Sequence, residues 1–168
     1  MTTFLTSISL FACTCAGVDK FSEDDLNVAS QIFKGRVIKI VEDTALNLLA
    51  VTFELSENYL DSSDLGNKTI YTFTKSAFCG IYVQLNDEWY IYAKNKDGLD
   101  FCNRCERSAL LTIQCLDRND PPDFYQEIKD VTTWYKYLEF VYKPVIMGIK
   151  RYNDDIEEIK RITAANSK

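Results

Sequence analysis

Hydrophobic and polar residues alternate along much of the first half of the chain, as in strands that bury one face. The pattern predicts five strands, at 32–41, 48–55, 68–74, 81–85 and 88–93. Gly35 predicts a bend or bulge in the first strand, and Asn86-Asp87 predicts a hairpin turn between the last two. The polar residues 59–67 are typical of a loop. Five short strands separated by turns favour a small barrel or sandwich.

Helical patterns occur near both ends of the chain. Ser22, followed by three acidic residues, predicts a short helix that continues to about Ser30. After residue 120, apolar residues recur at steps of three and four, and Pro144 is expected to end that helix. The first stripe consists of Phe124, Ile128, Val131, Tyr135, Leu138 and Tyr142, after the helix start expected at Pro121-Pro122. A second helix is predicted to carry Tyr152, Ile156, Ile159 and Ile162. We expect both stripes to pack on the strands or on each other.

Composition limits the classes of function. The 168 residues suit one domain, or one domain with a helical appendage. The net charge of −6 disfavours binding to nucleic-acid phosphates and to anionic membrane surfaces. The chain has no histidine, which excludes Ser-His-Asp and Cys-His catalysis and histidine-ligated zinc. We expect no enzyme, because the paired acids lie where solvated helix faces are predicted; these are Asp24/Asp25, Asp154/Asp155 and Glu157/Glu158.

Cysteine is the remaining candidate for chemistry. The six cysteines are Cys13, Cys15, Cys79, Cys102, Cys105 and Cys115. An even number at uneven spacing favours three disulfides formed in an oxidising compartment, with about fifteen possible pairings. A zinc site and a redox pair are the alternatives. The chain has one Cys-x-x-Cys motif, Cys102-Asn103-Arg104-Cys105, whereas a four-cysteine zinc site normally has two. That motif also follows a polar turn at 95–100, and a thioredoxin-like motif follows a strand.

The first twelve residues are apolar and small, and Ala12 directly precedes Cys13. This is typical of the end of a secretory signal peptide, so we expect a secreted or extracytoplasmic protein. Leu10-Phe11-Ala12-Cys13 also resembles a bacterial lipobox, which makes a lipid anchor at Cys13 one alternative, and an ordinary first strand is another. No stretch reaches the ~18 apolar residues of a transmembrane segment. Asn67-Lys68-Thr69 is a glycan acceptor sequence in a eukaryotic secretory pathway.

The order of these motifs resembles the tissue inhibitors of metalloproteinases. The chain has Cys13-Thr14-Cys15 at a processed N-terminus, followed by Phe21, a short helix and the strand Phe33-Lys34-Gly35-Arg36-Val37. A strand and a small-residue loop then lead to Cys79-Gly80, similar to that family's middle segment. The strand around Trp89 and the segment Cys102-Asn103-Arg104-Cys105-Glu106-Arg107 are similar to the family's closing strand and the cysteine after it. The resemblance spans 13–115.

The resemblance implies a five-stranded OB-fold barrel of the netrin-like type, here residues 13–119. A signal-peptide remnant at 1–12 would precede this domain, and a helical extension at 120–168 would follow it. The family's pattern pairs Cys13 with Cys79 and Cys15 with Cys105. Cys102 and Cys115 would then form a third, local bridge, which is our inference and not part of the family's pattern.

The resemblance also implies a function without a cofactor of the protein's own. In the family, the α-amine and carbonyl of the first cysteine, here Cys13, chelate the catalytic zinc of a protease. Thr14 would enter the protease's specificity pocket. Ser76, Ala77 and Phe78 would form the second part of the binding ridge. Netrin-like modules also serve as binding domains in other secreted proteins. An extracellular or envelope protein-binding module without inhibitory activity is therefore the alternative.

Overall fold

The computed structural model describes residues 19–74, 81, 83–103, 107–112 and 131–166. In the last of these segments, it describes side chains only from residue 142 onward, and not at 144. The protein is mainly β, with a C-terminal helix. The elements are α1 (Glu23–Val28), β1 (Ala29–Asp43), β2 (Leu48–Asn58), β3 (Lys68–Phe73), β4 (Glu88–Lys96), β5 (Leu99–Phe101), β6 (Ala109–Thr112) and α2 (Val131–Asn166). The predicted strands at 32–41, 48–55, 68–74 and 88–93 are confirmed as β1 to β4.

The short helix α1 is confirmed, and it begins as its sequence predicts. The Asp25 amide donates to Ser22 Oγ at 3.3 Å, and the Ser22 amide donates to Asp25 Oδ2 at 3.0 Å. This reciprocal capping satisfies amides that have no partner within a helix. The helix ends at Val28, and Ala29 begins β1, so the chain turns directly from helix to strand.

Five strands pair in a closed ring. β1, β2 and β3 are antiparallel neighbours, β3 pairs with β5 in parallel, and β5 pairs with β4, which returns antiparallel to β1. Strand β1 pairs with both β2 and β4, and its register with β2 shifts between Lys34 and Gly35. The bulge predicted at Gly35 is therefore confirmed. A Cβ atom there would lie 2.9 Å from the Glu54 carbonyl oxygen, so this close approach of the strands depends on glycine.

Two hydrophobic cores lie on the two faces of β4. Trp89, Ile91 and Ala93 point into the ring, where they join side chains from β1, β2 and β3. Tyr90 and Tyr92 point to the other face, under α1 and α2. That second core also contains Phe21, Ile32, Ala109, Leu111, Ile156, Ile159 and Ile162. Because successive side chains of a strand alternate in direction, one strand supports both cores.

The prediction of a strand at 81–85 is wrong for residues 81 and 83–85, which form no strand. The fifth strand of the ring is β5 instead. One edge of β4 is paired with β1, and the other with β5 and β6, so no edge is left for 81–85. Ile81 and Val83 are nevertheless buried, which explains the alternation. The segment ends in a turn with Asn86 at φ 68°, and the Asn86 amide donates to the Val37 carbonyl.

Helix α2 is a single helix of 36 residues, so the prediction that Pro144 separates two helices is wrong. The predicted helix start at Pro121-Pro122 lies outside the described residues. The second stripe packs on the sheet as expected, whereas Tyr142 of the first stripe is exposed. Near the middle of α2, Gly148 lies directly against the Leu110 carbonyl of β6. Packing of α2 on β6 outweighs the backbone hydrogen bond that Pro144 lacks.

Candidate functional site

Most residues of the site predicted from the sequence lie outside the described residues. These are Cys13, Thr14, Cys15, Ser76, Ala77, Phe78, Cys79, Cys105 and Cys115. Cys102 is described, and its side chain is fully buried inside the ring. Its amide donates to the Tyr71 carbonyl at 3.0 Å, which fixes the end of β5 beside β3. The three predicted disulfide pairings stay predictions.

The chain enters and leaves the segment 75–80 at one end of the ring. On the entering side, Thr74 Oγ1 donates to Asn47 Oδ1 at 3.4 Å, next to the turn between β1 and β2. On the leaving side, the Ile81 amide donates to Thr72 Oγ1 at 3.2 Å. The residues that flank the predicted ridge, Thr74 and Ile81, are therefore both held at this end of the ring.

The N-terminal segment and the segment before β6 meet at a hydrogen bond. Arg107 Nη2 donates to the Asp19 carbonyl at 2.8 Å. Asp19 lies four residues after Cys15, and Arg107 lies two residues after Cys105. Two of the predicted disulfide cysteines therefore lie close in sequence to a contact that the structure shows.

Arg107 is also the centre of a buried ionic cluster. Its side chain is 7% exposed, and its Nη1 donates to Asp155 Oδ1 of α2 at 3.1 Å. Its Nη2 donates to Asp25 Oδ2 of α1 at 2.9 Å, and its guanidinium lies 5.0 Å from the centre of the Phe21 ring. Tyr90 donates to the other Asp155 oxygen at 3.2 Å. The cluster thus joins both helices and the N-terminal segment to β4.

Burial and charge move the pKa values of this cluster in different directions. Burial raises the pKa of Asp155 to about 6, although Arg107 and Tyr90 favour its charged form. Burial alone would raise the pKa of Asp25, but hydrogen bonds from Ser22 and Arg107 outweigh it, so the pKa is lowered. Burial and the nearby Asp155 carboxylate raise the pKa of the Tyr90 hydroxyl. The charged and hydroxyl groups of the cluster bond mainly to each other, so we interpret the cluster as a structural junction between elements.

The expectation that the acidic pairs lie on solvated faces is wrong for one member of each pair. Asp24, Asp154 and Glu157 are exposed. Asp25 is half-buried, and Asp155 and Glu158 are buried. The apolar helical stripe is the sequence signal for the burial of Asp155 and Glu158, because Asp155 adjoins Ile156 and Glu158 adjoins Ile159. Arg107 carries no sequence signal beyond its place two residues after Cys105, in the segment similar to the inhibitor family.

A surface depression of about 660 Å³ lies between the β1–β2 ladder and the turn before β4. Its walls are formed by Arg36, Glu54, Leu55, Ser56, Leu65, Asn86 and Glu88. Arg36 Nη2 donates to Glu54 Oε2 at 2.5 Å, and both side chains are about half exposed. The walls of this depression carry both signs of charge, and its arginine is already paired.

The described part of the chain contains no group of three or more Cys, Asp or Glu side chains arranged to hold a metal ion. Within the same residues, neither helix has the length and hydrophobicity needed to cross a membrane. No protein-family model and no curated protein sequence matches this chain.

Proposed function

We propose that this protein is a secreted, disulfide-bonded inhibitor of a zinc metalloendopeptidase, built on an OB-fold of the netrin-like type. The closed order β1-β2-β3-β5-β4, with β3 and β5 parallel, supports the OB-fold. Thr74 and Ile81 are both held at one end of the ring, and this placement of the flanking residues supports a binding ridge formed by Ser76, Ala77 and Phe78.

The observation that carries the proposal is the hydrogen bond between Arg107 and the Asp19 carbonyl. Four residues of extended chain span at most about 14 Å, and two span at most about 7 Å. A disulfide joins Cα atoms about 5.5 Å apart. These chain lengths allow a bond between Cys15 and Cys105, so the contact at Asp19 supports the proposed pairing. That bond would hold the N-terminal segment against the body of the protein.

The proposed chemistry belongs to the first residue of the processed chain. An α-amine has a pKa near 8, so at neutral pH a fraction is unprotonated and able to donate to the zinc of the bound protease. The Cys13 carbonyl would be the second donor, and Thr14 would enter the specificity pocket. Disulfides at Cys13 and Cys15 would hold this geometry before binding, which reduces the entropy lost on association.

A blocked N-terminus tests the proposal. The secreted protein beginning at Cys13 is assayed against a panel of zinc metalloendopeptidases, beside a form with one alanine added before Cys13. We expect the first form to inhibit at least one member of the panel and the extended form to inhibit none. A serine endopeptidase is the control target and should be unaffected by both. The extended form must show the same disulfides and thermal unfolding as the first, so that the difference is assigned to the amine.

The alternative is a netrin-like extracellular or envelope module that binds a protein without inhibiting a protease. The exposed apolar stripe of Tyr142, Ile146 and Ile149 on α2 favours it, because the proposed inhibition does not use this surface. Three disulfides and a free Cys13 amine without inhibition of any protease would support this alternative. A lipid attached to Cys13 would also remove the chelating amine.

A further inference from the structure

The loop between β2 and β3 is organised by its own side chains. Asn58 Oδ1 accepts from the amides of Leu60 and Asp61 at 3.1 and 3.2 Å, and Asn58 Nδ2 donates to the Asp64 carbonyl at 2.9 Å. Asp64 accepts from the Gly66 amide at 3.1 Å and forms an ion pair with Lys68. Asn67 lies between these last two residues, at the end of the loop, and it is exposed.

We propose that Asn67 carries an N-linked glycan, an inference that rests on the secretory route of the proposed function. Asn67-Lys68-Thr69 is the single Asn-x-Ser/Thr triplet of the chain, and its middle residue is not proline. The Asn67 amide nitrogen bonds to the anomeric carbon of a lipid-pyrophosphate-linked oligosaccharide. The bond from that carbon to the pyrophosphate oxygen breaks, the lipid pyrophosphate leaves, and the amide loses one proton to the transferase.

The folded protein has room for such a glycan. Gly66, Asn67 and Thr69 are all exposed, so a sugar on Asn67 displaces no core side chain. Leu65, two residues away, is 52% exposed, and a glycan beside it would place polar groups over an apolar surface. The Thr69 hydroxyl lies 3.2 Å from that of Thr52 in the folded strand pair, a contact that forms after the transferase has acted on the unfolded chain.

The glycan would not interfere with the proposed binding ridge. Asn67 directly precedes β3, whereas the segment 75–80 follows its other end. Six residues of extended strand separate the two ends by about 20 Å. The proposal therefore assigns the Asn67 end of the ring to the surface that faces away from a bound protease.

The test uses the full chain expressed in eukaryotic secretory cells, once with its own N-terminus and once behind an unrelated signal peptide. Treatment with a peptide N-glycosidase should remove one glycan and convert Asn67 to Asp, as read by peptide mass. Asn67→Gln and Thr69→Ala should abolish the glycan, and Thr69→Ser should retain it. Asn153→Gln, at an exposed asparagine outside any acceptor triplet, is the matched control and should leave the glycan unchanged.

Protein secreted behind the unrelated signal peptide without a glycan would overturn the inference and leave the proposed inhibition intact. In the other informative result, the form behind the unrelated signal peptide carries the glycan, whereas the form with its own N-terminus stays inside the cell. This result would show that the Asn67 site is competent. It would also overturn the secretory route, and with it both the proposed function and the glycan as a property of the natural protein. Equal inhibition before and after glycan removal is expected, and a gain on removal would contradict the assigned surface.

Discussion

Arg107 connects four parts of the chain through one side chain. It bonds to the N-terminal segment at Asp19, to α1 at Asp25 and to α2 at Asp155, and it packs on Phe21. A buried guanidinium is tolerated because its donors are matched by oxygen acceptors. Losing either helix would take one of its two carboxylates away from the guanidinium. The cluster therefore couples the docking of both helices to Arg107.

Arg107→Ala should destabilise the protein strongly, because it leaves the buried Asp155 without its ion pair. Breaking a buried pair by removing one partner costs about 3–5 kcal/mol, which urea denaturation at pH 7 would measure as a lower free energy of unfolding. Arg161→Ala is the matched control: it also removes an arginine from a carboxylate, Glu158, but its side chain is 67% exposed. We expect little change there. Equal losses in both variants would contradict the structural role of the cluster.

Asp155 should make stability depend on pH in the acidic range. Burial raises its pKa to about 6 in the folded protein, above the ordinary value of 3.8. The folded state therefore holds a proton that the unfolded chain releases. This contribution to stability is present below about pH 4 and is lost as the pH rises through about 6.

Asp155→Asn removes this titration. Between about pH 4 and pH 7, the free energy of unfolding of the wild type should fall relative to the variant by up to about 3 kcal/mol. Asp25, with its lowered pKa, acts in the opposite sense but is present in both proteins. The neighbouring Asp154 is exposed, so Asp154→Asn should keep the wild-type pH dependence. Parallel pH curves for the wild type and Asp155→Asn would argue against the junction.

At the scale of elements, local sequence signals predict a helix or strand correctly where the hydrophobic pattern agrees with the pairing in the folded protein. The capping residues of α1 and the alternation of β1 to β3 specify those elements without help from distant residues. The alternating pattern does not predict β5, although Asp97-Gly98, with φ values of 54° and 84°, forms a typical hairpin turn before it. The strand is three residues long, which is too short for alternation to mark. Pro144 predicts a helix end, but the helix continues through it because α2 packs on β6.

Gly148→Ala tests how closely α2 lies on the sheet. A Cβ atom at this position would overlap the Leu110 carbonyl oxygen, so the helix must move away from β6. Overpacking of this kind costs about 1–3 kcal/mol, although alanine is intrinsically about 1 kcal/mol better than glycine inside a helix.

A lower melting temperature by differential scanning calorimetry is therefore the expected result for Gly148→Ala. Asn153→Ala, on the exposed face of the same helix, should leave the melting temperature unchanged or raise it slightly. A Gly148→Ala protein that melts above the wild type would mean that helix propensity outweighs the contact.

At the scale of the whole molecule, the proposed function depends on covalent processing of the chain. The proposed inhibitor begins at Cys13 and contains three disulfides, so its unreduced mass should equal that of residues 13–168 less about six hydrogens. Reduction should then add about six mass units and lower the melting temperature, since each bridge contributes about 2–4 kcal/mol. A mass that includes residues 1–12, or an added acyl group, would contradict the free amine at Cys13.

The sequence by itself determined the features that depend on neighbouring residues: the capped helix, the alternating strands, the bulge at Gly35 and the apolar stripe that ends at Ile162. Tertiary structure decided the rest. Ile81 and Val83 are apolar and buried but lie in no strand, because both edges of β4 are already paired. The partners of Arg107 are distant in sequence, and no periodicity encodes them. A local pattern indicates which face of an element is apolar. Strand pairing and the burial of charged side chains depend instead on residues that are distant in sequence and adjacent only in the folded chain.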